Sequence, residues 1–364
     1  MMKAGSPNEQ TRNKIVVTGT GMVTSVGHDS LMAPAAIWGG IARFTEIRDF
    51  ATTTGGRSIG GVVKGVTDER SGIDRLLSMA VPAMQEALFT AEEFYGDLDM
   101  SRGKLFLSIG PPERPAYEEF EKEDLQTLLE SVEAEDLSSV EIIREGHSGG
   151  IVALSESIAY LRQEKARFCV VGGVDSLVEY PSLSWLEEGG RLKTDDRPHG
   201  FIPGEAAAFL VLELESSARQ RGAPILCELL DTSYTKEEAT IFSDKPLFGR
   251  ALAKSIDTIL INQRIEPVRI DGIICDLNGE HYRMKEWGLA QTRIFDGASV
   301  IPELWHPAEN IGDVGAASAV VFTAIATAAI NRGYFGGPNI VIWTSSDTGG
   351  RGCALLTTFP QNKR

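Results

Sequence analysis

No run of about 18 apolar residues occurs anywhere in this 364-residue chain, so no segment reads as a membrane-spanning helix. Residues 1–13 (MMKAGSPNEQTRN) lack the apolar core of a secretory signal and are expected to form a disordered polar lead, with the protein in the cytoplasm. Cysteine is scarce. Cys169, Cys227, Cys275 and Cys353 show no C-x-x-C spacing, and each lies in or beside an apolar run that reads as strand, which predicts reduced, buried thiols. Positive charge is also short, with 35 Lys and Arg against 51 Asp and Glu and a formal net charge of −16. That balance repels nucleic acid and anionic membranes, because binding either depends on Lys and Arg displacing counterions. It also disfavours an acidic partner, unless Arg12, Lys14, Arg43, Arg70 and Arg75 gather into a local basic patch; scattered solvated charges are the simpler reading.

The length allows two domain-sized units, or one large domain with an internal repeat. Ile15 to Gly21 reads as a β-branched strand entering a Gly-rich turn, the start of a βα unit, with a helix-like segment from Leu31 to Gly39. It is no dinucleotide fingerprint: the third glycine is missing and no acidic residue closes a second strand at the right distance. Apolar residues at helical spacing predict a helix from Asp74 to Phe94, kinked at Pro82. Lys104 to Ile109 reads as strand, Pro111 to Glu135 as an acidic, mostly helical excursion, and Glu141 to Glu145 leads into Gly146-His147-Ser148-Gly149-Gly150.

That last stretch spells G-x-S-x-G. In a strand-to-helix turn the spelling raises one side chain onto a helix N-terminus whose free N–H groups face an incoming anion. It is followed by a helix to Arg162, a strand from Phe168 to Val171 ended by Gly172-Gly173, a polar loop over residues 191–205, and strands from Ala206 to Leu214 and Ile225 to Asp231. The second half repeats the order: a helix from Leu247 to Ile261, a strand from Ile270 to Leu277, a turn at Asn278-Gly279-Glu280-His281, a second Gly-rich elbow from Asn310 to Gly315, a small-residue helix to Asn331, and strands at Ile340 to Trp343 and Cys353 to Phe359. An offset of roughly 166 residues marks an internal duplication. The division falls between residues 14–235 and 236–364, and each elbow is expected to point into a shared crevice.

With these segments in view, the chain resembles the β-ketoacyl-acyl carrier protein synthases of the thiolase superfamily. The resemblance rests on Ile15 to Gly27, on Asp74-Arg75 with its helix, on Gly172-Gly-Val-Asp-Ser176 and on Gly200-Phe-Ile-Pro-Gly-Glu-Ala-Ala-Ala208. It implies an α/β, thiolase-like fold of two similar halves in a five-layered αβαβα arrangement, either a homodimer or a heterodimer with a related synthase, and an acyl-type ligand or an acyl carrier protein as possible company. The family's condensation chemistry needs a cysteine at the elbow, which takes up the acyl group, and two histidines that bind the malonyl thioester carbonyl. The register places His147 at the cysteine position, Glu280 at the first histidine, with His281 one place late, and Asp313 at the second. The family's lysine falls on Ala308, and its closing glycine-rich turn becomes Asp347 to Gly352. Two carboxylates would repel the enolate that condensation develops, so the resemblance implies a divergent, non-condensing member, similar to the chain-length factors that lack the cysteine and partner an active synthase.

Two other readings of the same residues stay open. His147, Ser148, Glu280, His281 and Asp313 would converge on one crevice, and Ser148 with a histidine and a carboxylate is the composition of a hydrolase or acyl-transfer site. The register, however, puts Ser148 one residue past the exposed tip, where a hydroxyl would cap the helix. A metal held by His147, Glu280 and Asp313 suits zinc or manganese in residue type, but no short ligand spacing supports it and acid–imidazole hydrogen bonding accounts for the same residues. No metal or cofactor is expected. His28, His199 and His306 read as loop residues, and Glu205 as a backbone hydrogen-bond acceptor.

Overall fold

The computed structural model describes residues 14–53, 56–92, 98–115, 122–298 and 301–360. The first half runs β1 (Ile15–Thr24), α1 (Met32–Trp38), the small hairpin β2 (Thr45–Ala51) and β3 (Arg57–Gly60), α2 (Gly72–Glu92), β4 (Gly103–Ser108), α3 (Lys122–Ser131), β5 (Ser139–Ile143), α4 (Gly149–Arg162), β6 (Phe168–Ser176), α5 (Tyr180–Glu188), β7 (Glu205–Leu214) and α6 (Glu215–Arg221). The second runs β8 (Cys227–Lys236), α7 (Arg250–Gln263), β9 (Gly272–Cys275), α8 (His281–Ile294), β10 (Glu303–Trp305), α9 (Ala308–Ile311), α10 (Ser318–Arg332), β11 (Ile340–Ser345) and β12 (Gly350–Thr357).

The strand order β10-β9-β11-β12-β8-β1-β7-β6-β4-β5 makes the duplication explicit. Each half contributes five strands with the same arrangement: the third, second and fourth are parallel, and the fifth and first are antiparallel to their neighbours. The halves join where Ile15 to Val17 of β1 pair with Cys227 to Leu229 of β8. Alternation along β7 then defines the layers. Ala206, Ala208, Leu210 and Leu212 pack on a core shared with α4, α10 and the inner faces of β8, β11 and β12. Ala207, Phe209 and Val211 face a second core under α2, and Val341, Trp343, Cys353 and Leu355 face a third under α7 and α8. Strands buried on both faces between helix layers give the expected five layers, helix–sheet–helix–sheet–helix.

The apolar central layer also explains a conflict with the sequence reading. The segment Gly315–Arg332 is long and apolar enough to cross a membrane, yet 83% of it is buried inside the fold. It is a core helix, apolar all round because protein surrounds it.

Several boundaries differ from expectation. β1 does not stop at its glycines to open a parallel βα unit; it continues to Thr24 and is antiparallel to both neighbours. The glycines are there because α2 lies directly on the strand: a Cβ at Gly21 would sit 2.1 Å from the Ala83 carbonyl oxygen. Gly172 and Gly173 do not end β6 either, since the Phe209 ring crosses the first and α10 approaches the second in mid-strand. Of the acidic excursion, α3 covers Lys122–Ser131, and residues 116–121 lie outside the described residues. The helices α5 and α8 and the edge strand β10 were not anticipated. Their positional patterns are weak, because α8 buries Arg283 and Glu286 alongside Trp287 and Ala290. All four cysteines are free and buried, and burial pushes the thiols of Cys169, Cys227 and Cys353 up to about 12, leaving them inert.

Two glycines test the packing argument with opposite signs. Gly21→Ala forces α2 off β1 and is expected to destabilise by about 1–3 kcal/mol. Gly288→Ala, inside α8 with open space at its Cβ, is expected to stabilise by about 0.5–1 kcal/mol. Urea denaturation midpoints of the two variants against the wild type check both.

Candidate functional site

In each half a strand edge leads through a left-handed glycine, Gly146 (φ 56°) or Gly315 (φ 53°), into one 3-10 turn that feeds a central helix, α4 or α10. The two elbows therefore face one another across the middle layer. His147 stands at the first tip, 7% exposed, and Asp313 lies just before the second glycine, 3% exposed. They meet: His147 Nε2 is 2.8 Å from Asp313 Oδ1. The same carboxylate accepts the Gly315 amide at 2.9 Å and, through its other oxygen, Asn278 Nδ2 at 2.7 Å.

Glu280 is brought to the same crevice as the residue preceding α8, but it faces an arginine rather than the imidazole. Arg191 Nε and Nη2 form a two-pronged bond to it, both at 2.8 Å, and Arg191 Nη1 and Nη2 reach Asp347 at 2.6 and 3.1 Å. Asn278 bridges the two acids, donating to Glu280 Oε2 at 3.1 Å as well as to Asp313. Arg283, 2% exposed, donates to Asp276 at 2.8 Å and to Asp347 at 3.3 Å, and its Nη2 lies 3.3 Å from His147 Nε2. Four carboxylates thus meet two guanidiniums and one imidazole.

That imbalance sets the titration. Burial alone would lower the His147 pKa and Arg283 opposes its charge, but the adjoining Asp313 carboxylate outweighs both and holds the imidazole above its ordinary value. Burial would raise Asp313, yet His147 and Arg283 pull it well below the usual carboxylate range. Asp347, half-buried, is drawn down to about 2 by Arg191 and Arg283. Asp276 goes the other way: burial raises it despite Arg283.

Ser148 is fully buried, and its hydroxyl faces backbone carbonyls of the second half. Its hydroxyl donates to the carbonyls of Thr344 (3.0 Å) and Gly350 (3.2 Å). Nor does it cap α4 through its side chain, as expected; it occupies the N-cap position, but the hydroxyl points back across the halves. Its amide donates to Ser346 Oγ at 2.9 Å, so one N–H of the elbow is already satisfied. His281 is exposed at the start of α8, in edge contact with His199 at 6.2 Å, and stands apart from the buried pair. Among the described residues no group of three or more His, Cys, Asp and Glu side chains is placed to hold a metal ion. The cavity at the elbow, bordered by His147, Arg191, Phe201, Trp185 and Asp347, measures about 30 Å³, room for a water or two.

Glu205 accepts a backbone amide, that of Val63, as expected, and does more besides. It is a buried anchor holding Arg75 at 2.5 and 2.9 Å, Thr67 and Ser176 hydroxyls, and the Val63 amide. Of the basic residues considered as a patch, Arg75 is therefore committed, Lys14 pairs with Glu228 at 2.7 Å, and Arg12 lies outside the described residues. The sequence reading missed Arg191, Arg283, Asp276 and Asp347. Only Arg283 left a local signal, standing three residues after Glu280; Arg191 is 89 residues away from its partner.

The fold and its paired elbows define a thiolase-like protein. No family model matches the chain. Its sequence relatives are β-ketoacyl synthases. A putative polyketide β-ketoacyl synthase 1 of Streptomyces cyaneus is 28% identical over 144 residues, which is 36% of this chain and 34% of that protein, so the match spans about a third of the relative's length. The 3-oxoacyl-[acyl-carrier-protein] synthase 2 of Staphylococcus aureus (strain N315) is 21% identical over 291 residues, 70% of each chain. Among solved structures, the ishigamide ketosynthase/chain length factor superposes with a TM-score of 0.81 at 18% identity, covering 96% of this chain and all of that one. A β-ketoacyl synthase from Burkholderia phymatum STM815 gives 0.78 at 16% identity, with 96% and 100% covered. A type II polyketide ketosynthase bound to a hexaketide, in complex with its acyl carrier protein, gives 0.80 at 18% identity with the same coverage.

The His147–Asp313 pair has a defined pH signature. The raised histidine contributes stability fully present below its unfolded value near 6.5 and lost as pH rises through the folded value. The depressed aspartate contributes stability present above its unfolded value near 3.9 and lost as pH falls through the folded one. The stability gap between wild type and His147→Asn should therefore be largest between about pH 4 and 6.5 and shrink toward alkaline pH, as read from thermal melts across pH 4–9. Asp313→Asn, which leaves buried cations without their partner, is expected to cost about 3–5 kcal/mol at pH 6, measured by urea unfolding.

Proposed function

We propose that this chain is a non-condensing β-ketoacyl-synthase-like protein that acts by association, as a partner subunit or scaffold in the manner of a chain-length factor, rather than by turning over thioesters. The observation that carries the reading is the closed ionic crevice. In the family register His147, Glu280 and Asp313 take the places of the cysteine and the two histidines, and each is held in a charge-assisted bond to protein. An enolate developing there would meet carboxylates instead of neutral donors. The elbow cavity of about 30 Å³ leaves no room for an acyl chain. On this reading association takes place at the outer surface, in a homodimer or with a related synthase. Among the structural neighbours, the ketosynthase/chain length factor is a precedent for pairing with a related synthase, and the ketosynthase–acyl carrier protein complex for association with a carrier protein.

The alternative, an acyltransferase or hydrolase using Ser148, has one supporting feature: His147 and Asp313 form the base-and-orienter half of a triad. Its other half is lacking, because the Ser148 hydroxyl is bonded to two backbone carbonyls.

Incubation with acetyl- and malonyl-thioesters is expected to leave the intact mass unchanged and to release no carbon dioxide. His147→Cys is expected to remain unacylated as well, because Glu280 and Asp313 stand where neutral donors would have to polarise the thioester carbonyl. A fluorophosphonate probe is expected to leave Ser148 unlabelled. Covalent acylation of the wild type within minutes, or labelling abolished by Ser148→Ala, would overturn the reading.

A further inference from the structure

A cleft of about 360 Å³ opens between the C-terminal end of α1 and the edge strand β10, and it shares no residue with the crevice. Its aromatic wall is built from two indoles, Trp38 and Trp305, whose centroids lie 5.0 Å apart at 43°. One face of Trp38 stacks on Tyr334 at 4.6 Å and 7°, yet the side chain remains 45% exposed, so its other face is open. Trp305 is seated against Phe335 at 4.2 Å, and its Nε1 donates to Glu303 Oε1 at 2.9 Å. On the floor and rim stand Glu303 and Glu309, the latter with His306 Nδ1 at 3.2 Å from Oε1. Among the described residues lining the cleft there is no lysine or arginine. The walls are tied together, since Asn310 Nδ2 donates to the Ile41 carbonyl at 2.9 Å and its own carbonyl accepts the Arg43 amide at 3.2 Å.

An open indole face attracts cations through its quadrupole, and nearby carboxylates with no lysine or arginine among the lining residues add to the attraction. One oxygen of each glutamate already accepts a hydrogen bond or ion contact, so these acids act more as charges than as acceptors. That combination favours a cation needing no hydrogen bonds. We propose that this cleft binds a quaternary alkylammonium headgroup, with Trp38 as the cation–π platform and Glu303 and Glu309 as counter-charges. The headgroup could belong to a small molecule or to a trimethylated lysine side chain; the chemistry recognised is the same.

The test is a ligand-observed NMR titration of the full chain with choline, its neutral carbon isostere 3,3-dimethylbutan-1-ol, and a short peptide with or without a trimethylated lysine. Saturable choline binding is expected, at least about tenfold tighter than the isostere. Trp38→Leu should weaken choline by a similar factor, and Glu303→Gln, at an exposed position that leaves the fold intact should Trp38→Leu not fold, by about threefold. Trimethyl-lysine peptide binding about tenfold or more tighter than choline identifies a protein side chain as the source, and equal or weaker peptide binding identifies a small molecule. Absence of saturation by either cation, equal binding of the neutral isostere, or choline affinity unchanged in both variants would overturn the proposal.

Discussion

Charge neutralisation across the two halves is the constraint on which the centre of this molecule depends. A buried carboxylate is tolerated when a cation and hydrogen-bond donors reach it. Asp313, from the second half, is met by His147 from the first; Glu280 and Asp347, both from the second, are met by Arg191 from the first. The two halves also join through the short β1–β8 strand pairing and through the apolar contact of α4 and α10, the latter largely non-directional. The ionic contacts are directional. They require the elbows to face each other in one register, because Asn278 must reach both acids while Arg191 grips Glu280 and Asp347 at once.

The duplication explains why these groups meet at all. Each half places its fourth helix, α4 or α10, in the middle layer with its N-terminal elbow at the strand ends, so two copies of the unit related across the β1–β8 seam aim two elbows at a single point. Whatever chemistry the elbows carry is therefore shared between halves. Here the chain has put an imidazole at one and a carboxylate beside the other, and the result is a salt bridge. A substitution at one elbow alone would leave an unpaired buried charge, and the other residue must be read together with it.

Much of this was legible in the residues. The doubled order of elbow, small-residue helix and strand foretold the two halves, and the resemblance put His147, Glu280 and Asp313 at one crevice. The strand glycines were misread because a Gly pair in an apolar run signals a turn when only local chemistry is considered, whereas Gly21 and Gly172 answer to neighbours in other layers, α2 and Phe209. The arginines were invisible for the same reason. Arg191 sits in a loop whose sequence reads as solvated, and nothing within 80 residues reveals that it clamps Glu280 and Asp347. The helix α8 was missed because its buried face carries Arg283 and Glu286, so the apolar period that betrays a helix is interrupted by the side chains that build the site.

The network also bears on how the crevice could open. Its members are coupled: Arg283 contacts His147, Asp276 and Asp347, and Asp347 is shared with Arg191. A ligand entering at the elbow would have to displace the imidazole from Asp313 and compete with Ser346 for the Ser148 amide, while each acid released would strengthen its hold on the remaining guanidinium. Exchanging buried ion pairs for an uncharged acyl thioester leaves those charges desolvated and unpaired, the most unfavourable arrangement available to them. A crevice built in this way favours its own closure.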